Sequence, residues 1–223
     1  MTDSTRLETR LQAVEAADSS QGMIDAVEAL AELQDAGATD MLIRVLGYNN
    51  PGAAVAAVDG LIKIGTPAAS AVLEQIDGYN YGARAWALRV LAGIGDPRGL
   101  DLVLETAAED FSLSVRRAAA RGLGAIQWEK MAADERREAQ TKARDTLLQV
   151  TEDPEWIVRY GAVVGLQGVA TAAAKHGSDD LIAQIIAGLS DLAQQDERPA
   201  VQARAQWALA EISTLSGESS DQP

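Results

Sequence analysis

The chain has 223 residues, a formal net charge of −14 and no cysteine. The lack of cysteine excludes disulfides, thiolate metal sites and a thiol nucleophile, and the acidic balance argues against nucleic acid as a partner because phosphate binding needs many Lys and Arg contacts. Aromatic residues make up only 4% of a chain that is 47% apolar, which favours close-packed helices over a sheet-built core.

The N-terminal segment is polar, and no uninterrupted apolar stretch approaches the roughly 18 residues that a membrane span requires. Together with the missing cysteines, this predicts a cytoplasmic protein without membrane insertion. Residues 4–17 predict an amphipathic helix with a capping box formed by Thr5 and Glu8. We expect this helix, within residues 1–20, to cap a helical array.

A nine-residue apolar phrase that ends in leucine recurs six times along the chain. It is clearest at residues 115–123 and 158–166, and the other copies begin at Gly22, Ala53, Ala83 and Val201. The first three steps between the final leucines are 31, 30 and 32 residues, and the last two are 43. This period predicts an all-α, right-handed superhelical solenoid of about six HEAT-like helical pairs over residues 21–215.

Proline and glycine mark the expected ends of these helices. A capping residue directly before proline predicts a helix start, and glycine after a phrase predicts a left-handed end. The predicted starts follow Asn50-Pro51, Thr66-Pro67, Asp96-Pro97 and Asp153-Pro154, and the predicted ends are Gly37, Gly65 and Gly95.

Two segments depart from the repeat. Residues 128–150 are rich in charge and are expected to form an extended or broken helix that bulges from the stack with a solvated face. The polar tail, residues 216–223, is expected to be disordered.

The phrase helices usually line the concave side of such a solenoid, so residues two and six places after each phrase start would point into the concavity. These residues are Val55 and Asp59, Ala85 and Arg89, Arg117 and Arg121, Tyr160 and Val164, and Ala203 and Trp207. Loop residues before the helices add a rim of Tyr79, Asn80, Tyr81, Phe111 and Trp156. Arginines beside aromatic faces suit a flat, conjugated anion.

The arginines divide into two groups. Arg84, Arg116 and Arg159 directly follow a phrase start, and a residue that recurs at one repeat position usually forms an ion pair or caps a carbonyl. Arg89, Arg117 and Arg121 are less repetitive. For these three arginines, a solvated face and an anion site both stay open as interpretations.

Other conspicuous residues have structural interpretations. Trp86 is expected to pack between helices. His176 is the only histidine, so no metal site is expected there, and Ser178 with Asp179 predicts the cap of the next helix. No nucleophile with a matched base is visible, so a conventional hydrolase or transferase site is not expected.

The sequence DGYNYGARAWALRVLAGIGDPRGL at residues 77–100, followed by DFSLSVRRAAARGLG at residues 110–124, resembles the phycobilin lyases of the E/F type. Among these, it is most similar to the F subunits of phycocyanin α-subunit phycocyanobilin lyases. The resemblance covers about residues 22–215, and the stretch from Tyr79 to Leu91 is its most specific part.

This resemblance implies a heterodimer with an E-type subunit that takes up phycocyanobilin, an open-chain tetrapyrrole, as substrate and needs no cofactor. It implies attachment of the bilin by a thioether to a cysteine of the phycocyanin α subunit. Relatives that also isomerise the bilin carry a His-Cys pair, whereas this chain has Asn80 and Tyr81 in that neighbourhood. Attachment without isomerisation is therefore expected.

The resemblance also implies roles for the residues singled out above. The two bilin propionates need cations, for which the candidates are Arg89, Arg117, Arg121 and Arg84. A carboxylate, Asp59 or Asp110, is expected to contact the pyrrole nitrogens and help protonate the conjugated system. The tetrapyrrole plane is expected to lie against Tyr81, Trp156 and Tyr160.

Two other functional classes stay open from the sequence. The first is a non-catalytic adaptor or chaperone that binds phycobiliprotein or bilin through the same groove. The second is a general protein-binding solenoid unrelated to pigments.

Overall fold

The structure is a computed structural model. It describes residues 3–75 and 81–217, without the side chains of residues 81, 82, 216 and 217. The described residues form twelve α-helices and three short 3-10 helices and contain no β-strand, so the predicted all-α class is confirmed. The α-helices are α1 Asp3–Glu15, α2 Ser20–Ala31, α3 Thr39–Leu46, α4 Pro51–Ile64, α5 Thr66–Gln75, α6 Tyr81–Ile94, α7 Leu100–Glu109, α8 Leu113–Leu123, α9 Ala133–Val150, α10 Trp156–Ala174, α11 Asp179–Gln195 and α12 Pro199–Gly217. The 3-10 helices are Ala36–Ala38, Pro97–Gly99 and Trp128–Lys130.

The chain forms two compact units, which divide after Ile94. In the first unit, α2, α4 and α6 pack in sequence, and α1, α3 and α5 lie against them. In the second unit, α8, α10 and α12 pack in sequence and are covered by α7, α9 and α11. Each unit is thus two layers of helices, and the repeated phrase supplies one complete layer.

The leucine that ends each phrase forms the core between the layers. Five of the six are almost fully buried: Leu30, Leu61, Leu91, Leu123 and Leu166. Burying such a side chain contributes about 1.5–3 kcal/mol to folding. The sixth, Leu209, is only half-buried because it lies on the last helix of the array.

Glycines let α8 and α10 approach closely. A side chain at Gly124 would place its Cβ 2.7 Å from the backbone oxygen of Gly165, and one at Gly161 would place it 3.1 Å from that of Arg117. Real Cβ atoms do not tolerate the first distance, so the crossing requires glycine. The close approach brings the exposed residues of the two helices next to each other.

The prediction of a bulging helix at residues 128–150 is wrong. The segment forms a 3-10 turn and then α9, which packs on α7, α8, α10 and α11 and buries Ala139, Ala143 and Leu147. The longer repeat instead reflects longer helices, since α9 has 18 residues and α10 has 19, against 10 in α7 and 11 in α8. The outer face of α9 is charged and exposed, as expected.

The proline-marked helix starts are confirmed at three of four places. The Asn50 Oδ1 accepts the Ala53 N–H at 3.2 Å at the start of α4, and α5 and the 3-10 helix Pro97–Gly99 also begin as predicted. After Asp153-Pro154 the prediction is wrong by two residues, because Asp153 Oδ1 binds the Glu155 N–H in a turn and α10 begins at Trp156.

The predicted glycine ends are confirmed at Gly65 and Gly95, whose φ angles are +76° and +67°. Gly37 lies within a 3-10 helix instead, and the left-handed residue after α2 is Gln34, with φ of +51°.

Three terminal and capping predictions fail at the residue level. The capping box at Thr5 is wrong because α1 already begins at Asp3. Ser178 precedes α11, but its side chain makes no capping hydrogen bond. The predicted tail begins too early, since α12 continues to Gly217, and residues 218–223 lie outside the described part.

Helix α10 is the central helix of the second unit. Among the described residues, it is the one helix that is long and apolar enough to cross a membrane. The sequence pattern did not predict this, because polar residues interrupt the apolar residues of the helix. It packs against α8, α9, α11 and α12, and ten of its residues are buried. Its apolar composition is therefore accounted for by packing within the protein.

Candidate functional site

The arginines that directly follow the phrase start hold neighbouring repeats together. Arg116 Nε donates to Asp153 Oδ2 at 2.7 Å, and Arg159 Nε donates to Asp196 Oδ2 at 2.8 Å, each across 37 residues. Each guanidinium also donates to a carbonyl in the loop before its own helix. The structural interpretation of Arg116 and Arg159 is confirmed, and the ion pairs join successive repeats.

The aspartates in this arrangement occupy one repeat position, which also contains Asp110. Asp110, Asp153 and Asp196 each accept the backbone N–H of the second residue that follows, at 2.8–2.9 Å. Asp153 and Asp196 also bind an arginine from the preceding repeat. This pattern favours a loop-stabilising role for Asp110 over the role of proton donor that we expected from the resemblance.

The carboxyl of Asp196 shows how strongly the arrangement is charged. Although burial favours its protonated form, hydrogen bonds from Arg159 and from the Arg198 backbone hold the pKa of Asp196 below its ordinary value. Asp196 therefore remains ionised and is paired with Arg159 at neutral pH. Arg159 is consequently unavailable to an anionic ligand.

A second set of side chains belongs to α8, α10 and α12, on the side of these helices that does not pack against α7, α9 and α11. We call this set the cationic face: Arg117, Arg121, Tyr160, Arg204 and Trp207. All ten residues that we expect to point into the concavity are exposed or half-buried, and their position in a concavity stays a prediction. Because α8 packs on α10 and α10 on α12, the three helices bring the set together within the second unit.

The arginines of α8 contribute donors that lack protein partners. Arg121 is exposed, and Arg117 is half-buried with an Nε that has no hydrogen-bond partner in the described part of the chain. Neither side chain forms an ion pair with a described residue. Neither charge is therefore neutralised by a carboxylate of the described part of the chain, and the exposed Arg121 is open to an anion.

Arg204 is the member of the cationic face that sequence reasoning missed. It is only 7% exposed, donates from Nη2 to Gln167 Oε1 at 2.6 Å, and lies over the Trp207 ring at 4.5 Å. Burial lowers its pKa, and the neighbouring Arg121 lowers it further, while Tyr160 and Glu211 have the opposite effect. Among the described residues, no carboxylate pairs with it.

A signal for Arg204 was present in the sequence. Arg204 and Trp207 are three and six residues after Val201, and Trp86 and Arg89 are three and six residues after Ala83, with the two residue types exchanged. In the first unit, Arg89 lies over the Trp86 ring at 4.4 Å. The same arginine-on-tryptophan stack thus occurs on α6 and on α12.

Several of the remaining predicted site residues belong to the first unit. Asp59 is exposed on α4 and Arg84 is half-buried on α6. Burial lowers the pKa of Arg89 beside Trp86. Tyr79 and Asn80 lie outside the described residues, as does the side chain of Tyr81, although its backbone begins α6.

Two predicted rim residues are exposed in the second unit. Phe111 is 78% exposed and lies just before α8, and Trp156 is 37% exposed and is the first residue of α10. Exposed aromatic side chains of this size are suited to contact with a ligand or a partner protein.

A cavity of about 500 Å³ opens elsewhere in the second unit and is acidic. Its lining includes Asp153, Asp191, Asp196 and Glu197, together with Arg159, whose charge is already neutralised. The described residues contain no group of three or more acidic, His or Cys side chains that could hold a metal ion. This cavity therefore does not suit an anionic ligand.

The comparisons with known proteins agree with the repeat architecture and with the sequence resemblance. Residues 71–167 match the family model for HEAT repeats. The chain is 56% identical to the phycocyanin alpha phycocyanobilin lyase CpcF of Synechocystis sp. strain PCC 6803 over 167 residues. This aligned stretch covers 75% of this chain and 78% of that protein. The chain belongs to the CpcF family of bilin lyase subunits. Another member, a phycobilisome maturation protein of Synechococcus elongatus strain PCC 7942, is 51% identical over 199 residues, or 89% of this chain and 94% of that protein.

A solved structure supports the same family and the helical-pair fold. The complex of CpcE and CpcF of phycocyanin lyase from Nostoc sp. PCC7120 matches with a TM-score of 0.70 and 45% identity, over 78% of this chain and 99% of that chain. For this CpcF family member, the predicted HEAT-like solenoid class is therefore confirmed.

Proposed function

We propose that this chain is the F-type subunit of a heterodimeric bilin lyase, which joins phycocyanobilin to a cysteine of the phycocyanin α subunit by a thioether bond. The observation that carries this proposal is the 56% identity to a protein named as a phycocyanin alpha phycocyanobilin lyase. The composition of the solved Nostoc complex supports an E-type subunit as the partner. The proposed location is the cytoplasm.

The reaction adds a thiol across the ethylidene double bond of ring A. The acceptor sulfur forms a bond to one carbon of that double bond, the other carbon gains a proton, and the thiol proton is released. A thiol can add to this group without an enzyme, so the contribution of the lyase is orientation and control of protonation. The bilin is the substrate, and we propose no cofactor.

The cationic face is the part of this chain that suits the bilin. Arg117 and Arg121 have no ion pair with a described residue that would compete with the propionate carboxylates, and Tyr160 on α10 provides an aromatic surface between α8 and α12. Charge-assisted hydrogen bonds of this kind are about twice as strong as neutral ones. They would fix the tetrapyrrole while its reactive end stays open to the acceptor cysteine.

Further roles are proposed for predicted residues that are not part of the cationic face. Arg84, Arg89, Tyr81 and Trp156 remain candidates for contacts to the bilin. Of the two carboxylates, we favour Asp59 as proton donor because it is exposed and has no ion pair with a described residue.

Reconstitution tests the proposed function directly. The chain, its E-type partner, phycocyanobilin and the phycocyanin α subunit are combined, and acid-stable bilin on the α subunit is measured by absorption after denaturation. We expect rapid formation of one covalent product, with the spectrum of attached, unisomerised phycocyanobilin, only when both lyase subunits are present. A product with the spectrum of an isomerised bilin would contradict the absence of isomerisation.

Substitution of the face tests the site. We expect Arg117→Ala and Arg121→Ala each to reduce the rate of attachment about tenfold or more, since each removes a charge-assisted hydrogen bond. Helicity measured by circular dichroism should stay unchanged. Normal attachment by both variants would show that the face does not bind the bilin.

A non-catalytic role is the second candidate, because one relative is named a phycobilisome maturation protein. An adaptor or chaperone for bilin or phycobiliprotein would shift the visible band of phycocyanobilin without leaving acid-stable pigment on the acceptor. The reconstitution experiment distinguishes the two outcomes.

A further inference from the structure

The buried charge of Arg204 has no carboxylate partner among the described residues. The residue is 7% exposed, its Nη2 binds the neutral amide oxygen of Gln167, and its Nη1 is buried without a hydrogen-bond partner in the described part of the chain. A buried charge is stable only when it is paired or fully hydrogen-bonded. The comparable buried arginine of the same layer, Arg159, meets this requirement through Asp196.

The surroundings of Arg204 increase this imbalance. Arg121 on α8 is close enough to repel Arg204 and lowers its pKa. Glu211 and Tyr160 act in the opposite direction, but neither forms a hydrogen bond or ion pair with Arg204. Since arginine stays protonated throughout the physiological range, a carboxylate of a ligand next to Arg121 and Arg204 would be attracted by both charges.

Trp207 adds a flat surface next to this charge. Its ring stacks on the Arg204 guanidinium at 4.5 Å and is 56% exposed, which is high for a large aromatic side chain. The stack holds the ring in a fixed orientation, with an exposed part that a conjugated ligand can contact. The cation and the aromatic surface are thus arranged side by side on α12.

We infer that Arg204, together with Arg121, binds a carboxylate of a planar conjugated ligand whose ring system contacts Trp207. The identity of the ligand rests on the proposed function, in which the carboxylate is one propionate of phycocyanobilin. The inference makes α12 part of the bilin site and assigns Arg204 a positioning role through the propionate.

Binding to the complete complex tests this inference. The chain is copurified with its E-type partner and titrated with phycocyanobilin or with its propionate dimethyl ester, and the shift of the visible band gives Kd. The variants are Arg204→Gln and Trp207→Leu. The matched control is Arg198→Gln, because Arg198 lies just before α12 with an exposed side chain that pairs with Glu197.

We expect Arg204→Gln to raise the Kd for the free acid about tenfold or more, the effect of losing a hydrogen bond between charged groups. The ester should bind the wild-type protein and Arg204→Gln equally. Trp207→Leu should weaken the acid and the ester alike, and Arg198→Gln should change neither. The midpoint of thermal unfolding of Arg204→Gln should not fall, because the substitution removes an uncompensated charge and keeps a donor for Gln167.

Two results would overturn the inference: unchanged binding of the acid to Arg204→Gln, or equal losses for acid and ester together with a lower unfolding midpoint. The proposed function is judged separately, from acid-stable transfer by the same wild-type sample. A sample that prefers the acid over the ester but transfers no bilin supports the carboxylate site and contradicts the lyase function.

Discussion

The side chain of Arg159 links three parts of the second unit at the residue scale. It donates two parallel hydrogen bonds to Asp196 and a third to the carbonyl of Asp153. The two side chains of the pair are only 9% and 3% exposed. A complete buried ion pair of this kind has little net effect on folding stability, whereas removal of one partner destabilises the fold strongly because the other charge stays buried.

Arg159→Ala is therefore expected to lower the free energy of unfolding by about 3–5 kcal/mol, since it leaves the charge of Asp196 buried without its partner. Urea unfolding followed by circular dichroism measures this change. The control is Arg137→Ala, which breaks the exposed pair of Arg137 with Asp180 and should cost at most about 1 kcal/mol. Equal losses in the two variants would contradict a structural role specific to Arg159.

Acid should weaken the second unit through the same pair. The folded pKa of Asp196 is depressed, so its stabilising contribution is fully present above the unfolded value, about 3.9, and is lost as pH falls through the folded value. We expect the free energy of unfolding to decline below about pH 4, and less steeply in Asp196→Asn. Parallel pH profiles for the two proteins would rule out this linkage.

At the scale of the elements, the crossing of α8 and α10 depends on residue size. The Cβ of an alanine at Gly165 would overlap the backbone oxygen of Ala120, which cannot move without shifting α8. An alanine at Gly188 on α11 would instead meet the end of the Leu148 side chain, which can change rotamer. The two glycines therefore differ in what a methyl group displaces.

We expect Gly165→Ala to destabilise the protein by about 1–3 kcal/mol, the usual cost of overpacking. Gly188→Ala should be neutral or stabilise the protein by up to about 1 kcal/mol, because alanine favours a helix over glycine. Chemical unfolding of both variants measures the difference. A loss at Gly188 as large as that at Gly165 would mean that helix crossing is not the cause.

On the scale of the whole molecule, a chain with a net charge of −14 carries a local excess of arginine on one face. Because the overall charge repels an anionic bilin, binding depends on the contacts of the cationic face. Arg121 is exposed there and subject to screening by salt, whereas Arg204 is buried and screened much less.

Added salt is consequently expected to weaken bilin binding in the wild-type protein through Arg121. The increase in Kd between 0.05 and 0.5 M NaCl, on the order of several-fold, should be smaller in Arg121→Gln than in Arg204→Gln. Absorption titrations at the two salt concentrations test this difference. The reverse order would indicate that Arg121 does not contact the ligand.

The local pattern was sufficient for several features of the fold and the site. The leucine period predicted the helical pairs, the Asn50 and Asp96 caps predicted helix starts, and the recurrence of Arg116 and Arg159 predicted structural contacts. Each of these follows from contacts that repeat at a fixed separation along the chain, so the sequence displays them directly. The same period predicted which side of each phrase helix faces away from the core.

Only the tertiary structure decided features that depend on contacts across helices. Helix α9 packs into the array because its apolar residues meet four neighbouring helices, although the charged residues at its start suggested a bulge. Arg204 became a candidate because α12 buries it beside Gln167 and Arg121, three elements that are separated along the chain. The sequence determines the period and the facing of the helices, whereas burial and the balance of charge depend on which helices become neighbours in space.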